Sequence, residues 1–419
     1  MKKTLFTLIA VLFFGSISFS QVRSYDQRGI NKFESSKEDL VKFDKLKLKI
    51  GGSFTQSFQT LKHSSTTTAT PGIVAIVPGF NTANANLYFD AFLADGVTLN
   101  MTLYLSSRHH NEAWVKGGYI QFDKLPFLKS GLMDKVMEFT TIKVGHMEVN
   151  YGDAHYRRSD NGNSIYNPFV ENYIMDAFAT EIGAEIDFQY KGFLAVAGFT
   201  NGKIKGDIAK GVVYAGGSDG KSKPVILGKI GFDKQLNKLI RLRVTGSGYY
   251  TAGSISNTLY GGDRTGSHYF GVMDNALTTS TAFSGRFNPG FTDKIGAVMG
   301  NLFVKVGGLE WFTTVEAAKG RAKAEQIDRN ASQFATDLVY RFGKSENFWI
   351  GGRYNKVSSV LAGGDVSINR VAVTGGWFVT KNIMAKAEYV SQNYNGFVAT
   401  DLRNGGKFNG FVIEAVVGF

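Results

Sequence analysis

Apolar and polar residues alternate one for one over long stretches of this chain, and the polar positions in mid-stretch are often charged. A period of two belongs to β-strands, whose successive side chains point to opposite faces. In Val97–Leu105 every odd-numbered residue is apolar, with Thr98, Asn100 and Thr102 between them. Ile182, Ala184, Ile186, Phe188 and Tyr190 share one face, while Glu185, Asp187 and Gln189 take the other. At the end of the chain Phe411, Ile413, Ala415, Val417 and Phe419 lie together, opposite Glu414. Similar segments begin near Lys45, Ala85, Glu112, Glu138, Gly192, Val225, Leu239, Lys294, Leu309, Ser332, Asn347, Ile368 and Asn382, which makes 16 candidate strands. Most run about 9–14 residues, the length a tilted strand needs to cross a bilayer.

Charged residues occupy the middle of the polar faces, among them Lys229, Arg243, Asp337, Arg353, Arg370 and Glu388. A soluble β domain would bury its apolar faces and divide so many strands between two sheets. An apolar exterior around a polar lumen resolves the pattern instead, because closure satisfies every backbone group in lipid. The sequence therefore predicts an all-β protein, a transmembrane antiparallel β-barrel of about 16 strands. Tight connectors at 94–96, 191–192, 233–238, 307–308, 343–346 and 380–381 alternate with polar loops at 62–84, 152–175, 202–224, 252–293, 320–330, 361–366 and 395–407. Long extracellular loops on one rim and short periplasmic turns on the other are expected. The longer turn Asp123–Met137, with Pro126, is expected to hold a short helix. Phe54, Tyr151, Tyr190, Tyr250 and Phe419, at strand ends, are expected in the interfacial aromatic girdles.

Residues 1–20 have Lys2 and Lys3, an apolar run from Leu5 to Phe14, and small Ser18 and Ser20. That is the layout of a secretory signal peptide. A polar lead, 21–44, is expected in the periplasm or as a plug in the barrel, and 45–419 as one barrel. The net charge of +12 raises nucleic acid as a partner, but export takes the chain away from it. The expected location is the cell outer membrane, with lipid and lipopolysaccharide as contacts.

Enzymatic constellations are thin. The absence of cysteine excludes disulfide scaffolds, thiolate metal sites and thiol nucleophiles. His109, His110 and Glu112 have a spacing that could reach a metal, but read better as a polar loop tip beside Arg108. Gly246-Ser247-Gly248 lies within a strand, so it is no nucleophile elbow. No catalytic residue, metal or cofactor is expected, and the chain reads as a non-enzyme.

Strand parity sorts the wall charges. Lys47, Lys49, Lys116, Lys229, Arg241, Arg243, Arg341, Arg353, Arg370 and Lys386 are expected to face the lumen. So are Asp90, Glu112, Glu185, Asp187, Glu310, Glu316, Asp337, Glu388 and Glu414. Ten bases against nine acids argue against a one-sign ladder and for segregated charge. In the segment 138–151 the apolar parity breaks: Ile142 and Val144 share one phase, Met147, Val149 and Tyr151 the other. Lys143 and His146 therefore remain unassigned between the two faces.

The last strand, ending in Phe419 with Val417, Ala415 and Ile413 at alternate positions, resembles the assembly signature of Gram-negative outer-membrane proteins. Asp26–Asn31 followed by Phe43–Gly52 resembles porin-like proteins of the Bacteroidota. Gly145–Asp153 running into His155-Tyr156-Arg157-Arg158 resembles them too, and its Gly-x5-Tyr-Gly shape, Gly145 to Gly152, is loosely similar to the phosphate-selective porin family. The resemblance implies a 16-stranded, trimeric diffusion channel, with the terminal strand read by the outer-membrane assembly machinery. It also implies that the third long loop, 152–175, enters the lumen as a constriction. Asp153, His155, Arg157, Arg158, Asp160 and Glu171 there are the expected solute-facing groups, with a mild anion preference. Arg157 and Arg158 could equally pin the loop to wall carboxylates. The alternative reading is a non-conducting barrel, an adhesin or a structural part of a surface machine, which the long loop 252–293 and the lead keep open.

Overall fold

The structure, a computed structural model, describes residues 22–37, 42–106, 112–203, 210–262, 265–277 and 284–419. Residues 1–20, the loop tip with His109 and His110, and the Glu112 side chain lie outside this set. The alternating segments form long strands: β1 (Lys47–Ser64), β2 (Asn84–Ala94), β3 (Val97–Ser106), β4 (Glu112–Phe122), β5 (Thr140–Glu148), β6 (Thr180–Tyr190), β7 (Phe193–Thr200) and β8 (Val225–Gln235). The second half supplies β9 (Ile240–Thr251), β10 (Lys294–Val306), β11 (Leu309–Arg321), β12 (Arg329–Phe342), β13 (Phe348–Leu361), β14 (Gly364–Thr380), β15 (Ile383–Asn395) and β16 (Lys407–Gly418). A two-residue piece, Gly79–Phe80, pairs with Phe58 and Gln59.

Each strand pairs antiparallel with the next in chain order, and β1 also pairs with β16 from Ser53↔Gly418 to Ser64↔Lys407. That closure removes both sheet edges, as spanning lipid requires. The alternation fixes sidedness. Ile186 is 49% exposed on the outer face, while its neighbours Glu185 and Asp187 are 2% and 3% exposed inside. Leu48, Ile50, Val298, Val315, Leu338, Ile350, Phe411 and Ile413 all lie open on the outer surface. Such a continuous apolar face is stable against hydrocarbon, not water. Near the periplasmic turns Tyr340, Phe342, Phe348 and Trp377 stack edge to edge along the outside, with ring centroids 6.0, 5.6 and 5.9 Å apart. This is an aromatic girdle, and Phe54, Tyr190, Tyr250 and Phe419 are also exposed.

Three sequence expectations need correction. Tyr151 is not a girdle residue: it is buried inside and its hydroxyl donates to Glu316 at 3.1 Å. The apparent parity break in β5 is not a bulge, since β5 and β6 pair without a register shift. Met147 and Val149 instead face inward because the lumen is packed, and Lys143 faces inward to reach Glu185 at 2.8 Å and Asp187 at 2.7 Å. The register slip sits on β4, where Lys116 is the extra residue between partners Gly117↔Thr102 and Val115↔Leu103. Finally, 361–366 is no long loop. β13 and β14 extend to Leu361 and Gly364, leaving a tight turn. The expected helix in Asp123–Met137 is present as α1 (Gly131–Met137), capped by Ser130, whose hydroxyl accepts from Met133 N.

Candidate functional site

Inside the barrel, residues 22–37 run along the wall rather than away from it. Tyr25 stacks on Tyr88 of β2, centroids 3.7 Å apart, and its hydroxyl donates to Asp90 at 3.1 Å. Asp26 caps a short turn by accepting from Arg28 N at 3.0 Å. Asn31 donates to Glu310 of β11 at 2.5 Å. Glu34 pairs with Lys229 at 3.2 Å and Arg243 at 2.7 Å, one cation from β8 and one from β9.

The loop between β5 and β6 also turns inward. Gly152, at φ +70°, starts it, and a Cβ there would stand 2.1 Å from Met299 Sδ. Only glycine meets both demands at low cost. Asp153 follows, fully buried, accepting from Arg243 Nη2 at 2.7 Å, Thr245 Oγ1 at 2.7 Å and Lys229 at 3.1 Å. Burial pushes its pKa up, but the charges of Arg243 and Lys229 outweigh that and hold the carboxyl well below its ordinary range. Glu34 is held low in the same way, against its own burial. His155 accepts or donates to Glu148 at 3.0 Å, yet burial dominates and lowers its pKa, favouring neutral imidazole.

Arg157 bonds the Asn31 side chain and reaches Glu310 at 3.4 Å, with its guanidinium 5.1 Å from the Phe312 ring. Arg158 pairs with Asp176 at 2.6 Å and Asp160 at 3.2 Å, over Phe178. Asp160 in turn holds Lys116 at 2.6 Å and the Tyr104 hydroxyl. Glu171 accepts from the Ser267 hydroxyl and from His268 N at 2.7 Å. The six loop residues singled out in the sequence thus all lie in the lumen, each tied to a partner. The two arginines sit in ion pairs with carboxylates, one on the wall and the others within the loop.

The wall residues follow parity. Lys386 pairs with Glu414 at 3.0 Å and donates to Phe169 O at 2.7 Å. Arg353 pairs with Asp337 at 2.7 Å and donates to Glu171 O at 2.7 Å. Arg370 reaches Asn172 O at 2.6 Å, and Arg241 pairs with Asp233 at 2.7 Å. Lys47 pairs with Asp44 at 2.6 Å near the periplasmic rim, and Lys49 lies 4.8 Å from the Tyr25 ring centre. The wall cations therefore hold loop carbonyls as well as wall carboxylates.

Sequence reasoning missed how much of the loop between β9 and β10 enters the lumen. His268 contacts Glu414 at 2.5 Å, the Tyr269 hydroxyl donates to Glu388, and Arg286 reaches Asp176 at 3.3 Å. Wall carboxylates short of basic partners were the available signal. Glu316 takes the hydroxyls of Tyr151 and Tyr260, and Glu181 takes that of Tyr249.

Among the described residues, spaces remain between plug and wall, and two of them bear on solute passage. One, of about 250 Å³, lies against β2–β6. Its charged lining is mixed: Arg23, Lys116, Lys143 and Arg158 with Glu34, Asp90, Glu148, Asp160 and Glu185. The other, about 1000 Å³, opens at the periplasmic rim. Its lining carries the bases Arg28, Lys238, Arg241, Lys305, Arg341, Lys344 and Lys381 and the acids Glu310 and Glu346, while Arg28 also pairs with Asp26 and Arg241 with Asp233. Among the described residues no cluster of three or more His, Asp or Glu could hold a metal ion.

No protein-family model matches the chain, and no curated protein matches it in sequence. Solved structures do. An anion-selective porin from Comamonas acidovorans superposes with a TM-score of 0.53 at 9% identity, covering 90% of this chain and 100% of that one. The outer membrane channel DcaP of Acinetobacter baumannii gives 0.50 at 11% identity, covering 91% and 100%. OmpT of Vibrio cholerae, an outer-membrane protein, gives 0.50 at 12% identity, again covering 91% and 100%. These likenesses establish the fold, a closed 16-stranded antiparallel barrel like those of outer-membrane proteins.

Proposed function

We propose that the chain forms a water-filled outer-membrane channel for passive diffusion of small hydrophilic solutes and ions. The observation that carries this is a closed barrel with an apolar exterior and a charged lumen, entered from the periplasm through a vestibule of about 1000 Å³. The loop 149–179 is the constriction in this reading, since it carries Asp153, His155, Arg157, Arg158, Asp160 and Glu171 into the lumen. A mild anion preference is supported by the vestibule, whose lining has seven bases and two acids and keeps an excess of bases after Arg28 pairs with Asp26 and Arg241 with Asp233. Low-dielectric walls make such an excess count for more than on an open surface. The loose similarity of the Gly145–Gly152 shape to phosphate-selective porins and the anion selectivity of the Comamonas porin favour the same sign. Homotrimeric assembly, contact of basic loops with lipopolysaccharide and recognition of the Phe419 strand by the assembly machinery belong to this proposal. The chain is read as a non-enzyme without cofactor, and the mature barrel as following a cleaved signal and a lumenal lead.

A second reading is a closed barrel serving adhesion or a surface machine. The packing of the lumen favours it: Phe169, Trp349, Arg243 and Arg370 are almost fully buried. Solute efflux from proteoliposomes separates the two. The channel reading expects release of glycerol-sized solutes from vesicles holding folded protein, and vesicles as tight as protein-free ones would leave the closed barrel standing.

A further inference from the structure

The cavity against β2–β6 is chemically incomplete. Most charges that border it are matched: Lys116 with Glu148 and Asp160, Lys143 with Glu185, Glu34 with Lys229 and Arg243, Arg158 with Asp176. Two are not. Among the described residues Arg23, from the lead, donates to two carbonyls, Gly29 O at 2.9 Å and Tyr156 O at 2.8 Å, and to no carboxylate, with its guanidinium 3.5 Å over the Tyr166 ring. Asp90, on β2, has the Tyr25 hydroxyl at 3.1 Å, while Lys49 sits over the Tyr25 ring outside ion-pair distance. Both groups line the same space, as do the rings of Tyr25, Tyr88 and Tyr166.

Three buried polar atoms at this cavity have no partner: Thr98 Oγ1, Asn150 Nδ2 and Asn163 Oδ1. These residues are 1%, 2% and 6% exposed. Buried polar groups left unpaired are costly, so their number at one cavity marks a place where something else bonds them. At about 250 Å³ the space is smaller than the ~300–1,000 Å³ that drug-sized ligands fill, so its occupant has few heavy atoms.

We infer that this cavity binds a small zwitterion of the free amino-acid class. Its carboxylate goes to Arg23 and its ammonium to Asp90, beside the electron-rich Tyr25–Tyr88 stack. A neutral sugar would leave Arg23 without a carboxylate and Asp90 with only the Tyr25 hydroxyl and the more distant Lys49, and an ion of single charge would satisfy one of the two. The inference concerns occupancy, so it stands whether or not the lumen conducts.

Equilibrium dialysis of the full chain folded in detergent, with radiolabelled L-alanine as the probe, tests it. Saturable alanine uptake is expected. Propionate and ethylamine should each compete more weakly by at least tenfold, and glucose not at all. Arg23→Gln and Asp90→Asn should each weaken alanine at least tenfold, while the first spares ethylamine and the second spares propionate. The competition series uses the unaltered protein, so it stands even if a variant misfolds. No saturable alanine uptake, glucose competing as well as alanine, or folded variants that bind normally would overturn the inference.

Discussion

Replacing Asp153 with alanine should release the lumenal loop while leaving the barrel intact. Asp153 accepts from Arg243 Nε at 2.8 Å and Nη2 at 2.7 Å, from Lys229 at 3.1 Å and from Thr245 at 2.7 Å, all buried. Its loss leaves Lys229 with Glu34 as its carboxylate, and Arg243 with Glu34 and, at 3.1 Å, Asp233. Removing one partner of such a buried network costs about 3–5 kcal/mol. At roughly 1.4 kcal/mol per tenfold, the docked loop loses about two to four decades of its closing equilibrium. None of this falls on the backbone ladder, which Asp153 does not join. Amide hydrogen exchange in detergent should therefore quicken across 149–179 and stay slow in β8–β11. Acid should do the same to the unaltered chain. Asp153 and Glu34 are held below their ordinary range, so their stabilisation is present above about pH 4 and is lost as pH falls through the lower folded values. Unchanged exchange in 149–179 for D153A, with folded barrels on gels, would refute the argument.

Other outcomes follow from the same contacts. Arg158→Ala should loosen the loop less than D153A, because Arg286 still reaches Asp176 at 3.3 Å, and exchange at 158–178 reads the difference. Replacing Lys238, Lys344 and Lys381 with Glu turns the vestibule from a net excess of five bases to one acid, so the reversal potential in asymmetric KCl should move toward cation selectivity. Gly410→Ala should block closure of β1 on β16, since its Cβ would stand 2.1 Å from Thr60 O at φ +145°. The heat-modifiable gel band should vanish in that variant and persist in Gly246→Ala, where a Cβ meets nothing within 4 Å.

The barrel was legible because alternation is a local property: one residue out of phase reverses a face, and the charges from Asp187 to Glu414 kept their phase. Lys229, Arg243 and Arg370 are buried on the face that the alternation gives them. What alternation could not report is what fills the inside. Apolar residues read as lipid-facing unless another segment covers them; Tyr151 reads as a girdle residue on that ground, and the faces of Met147 and Val149 stay open in the sequence. Their inward faces are covered by chain distant in sequence. Tyr260, for example, shares Glu316 with Tyr151 from the loop between β9 and β10. The same long-range packing hid the inward course of His268, Tyr269 and Arg286, whose partners lie on β15, β16 and the β5–β6 loop. Loop length pointed toward these contacts, but only the folded lumen pairs them.

Single-channel recording in a planar bilayer, under a KCl gradient, tests the channel reading most directly. The account predicts discrete, steady steps, small because lead and loops narrow the lumen, with a reversal potential on the anion side. It also predicts larger steps from a chain lacking residues 22–37, whose contacts with Asp90, Glu310, Lys229 and Arg243 hold it inside. Silence from both proteins, each inserted and heat-modifiable on gels, would contradict the channel and leave a closed barrel.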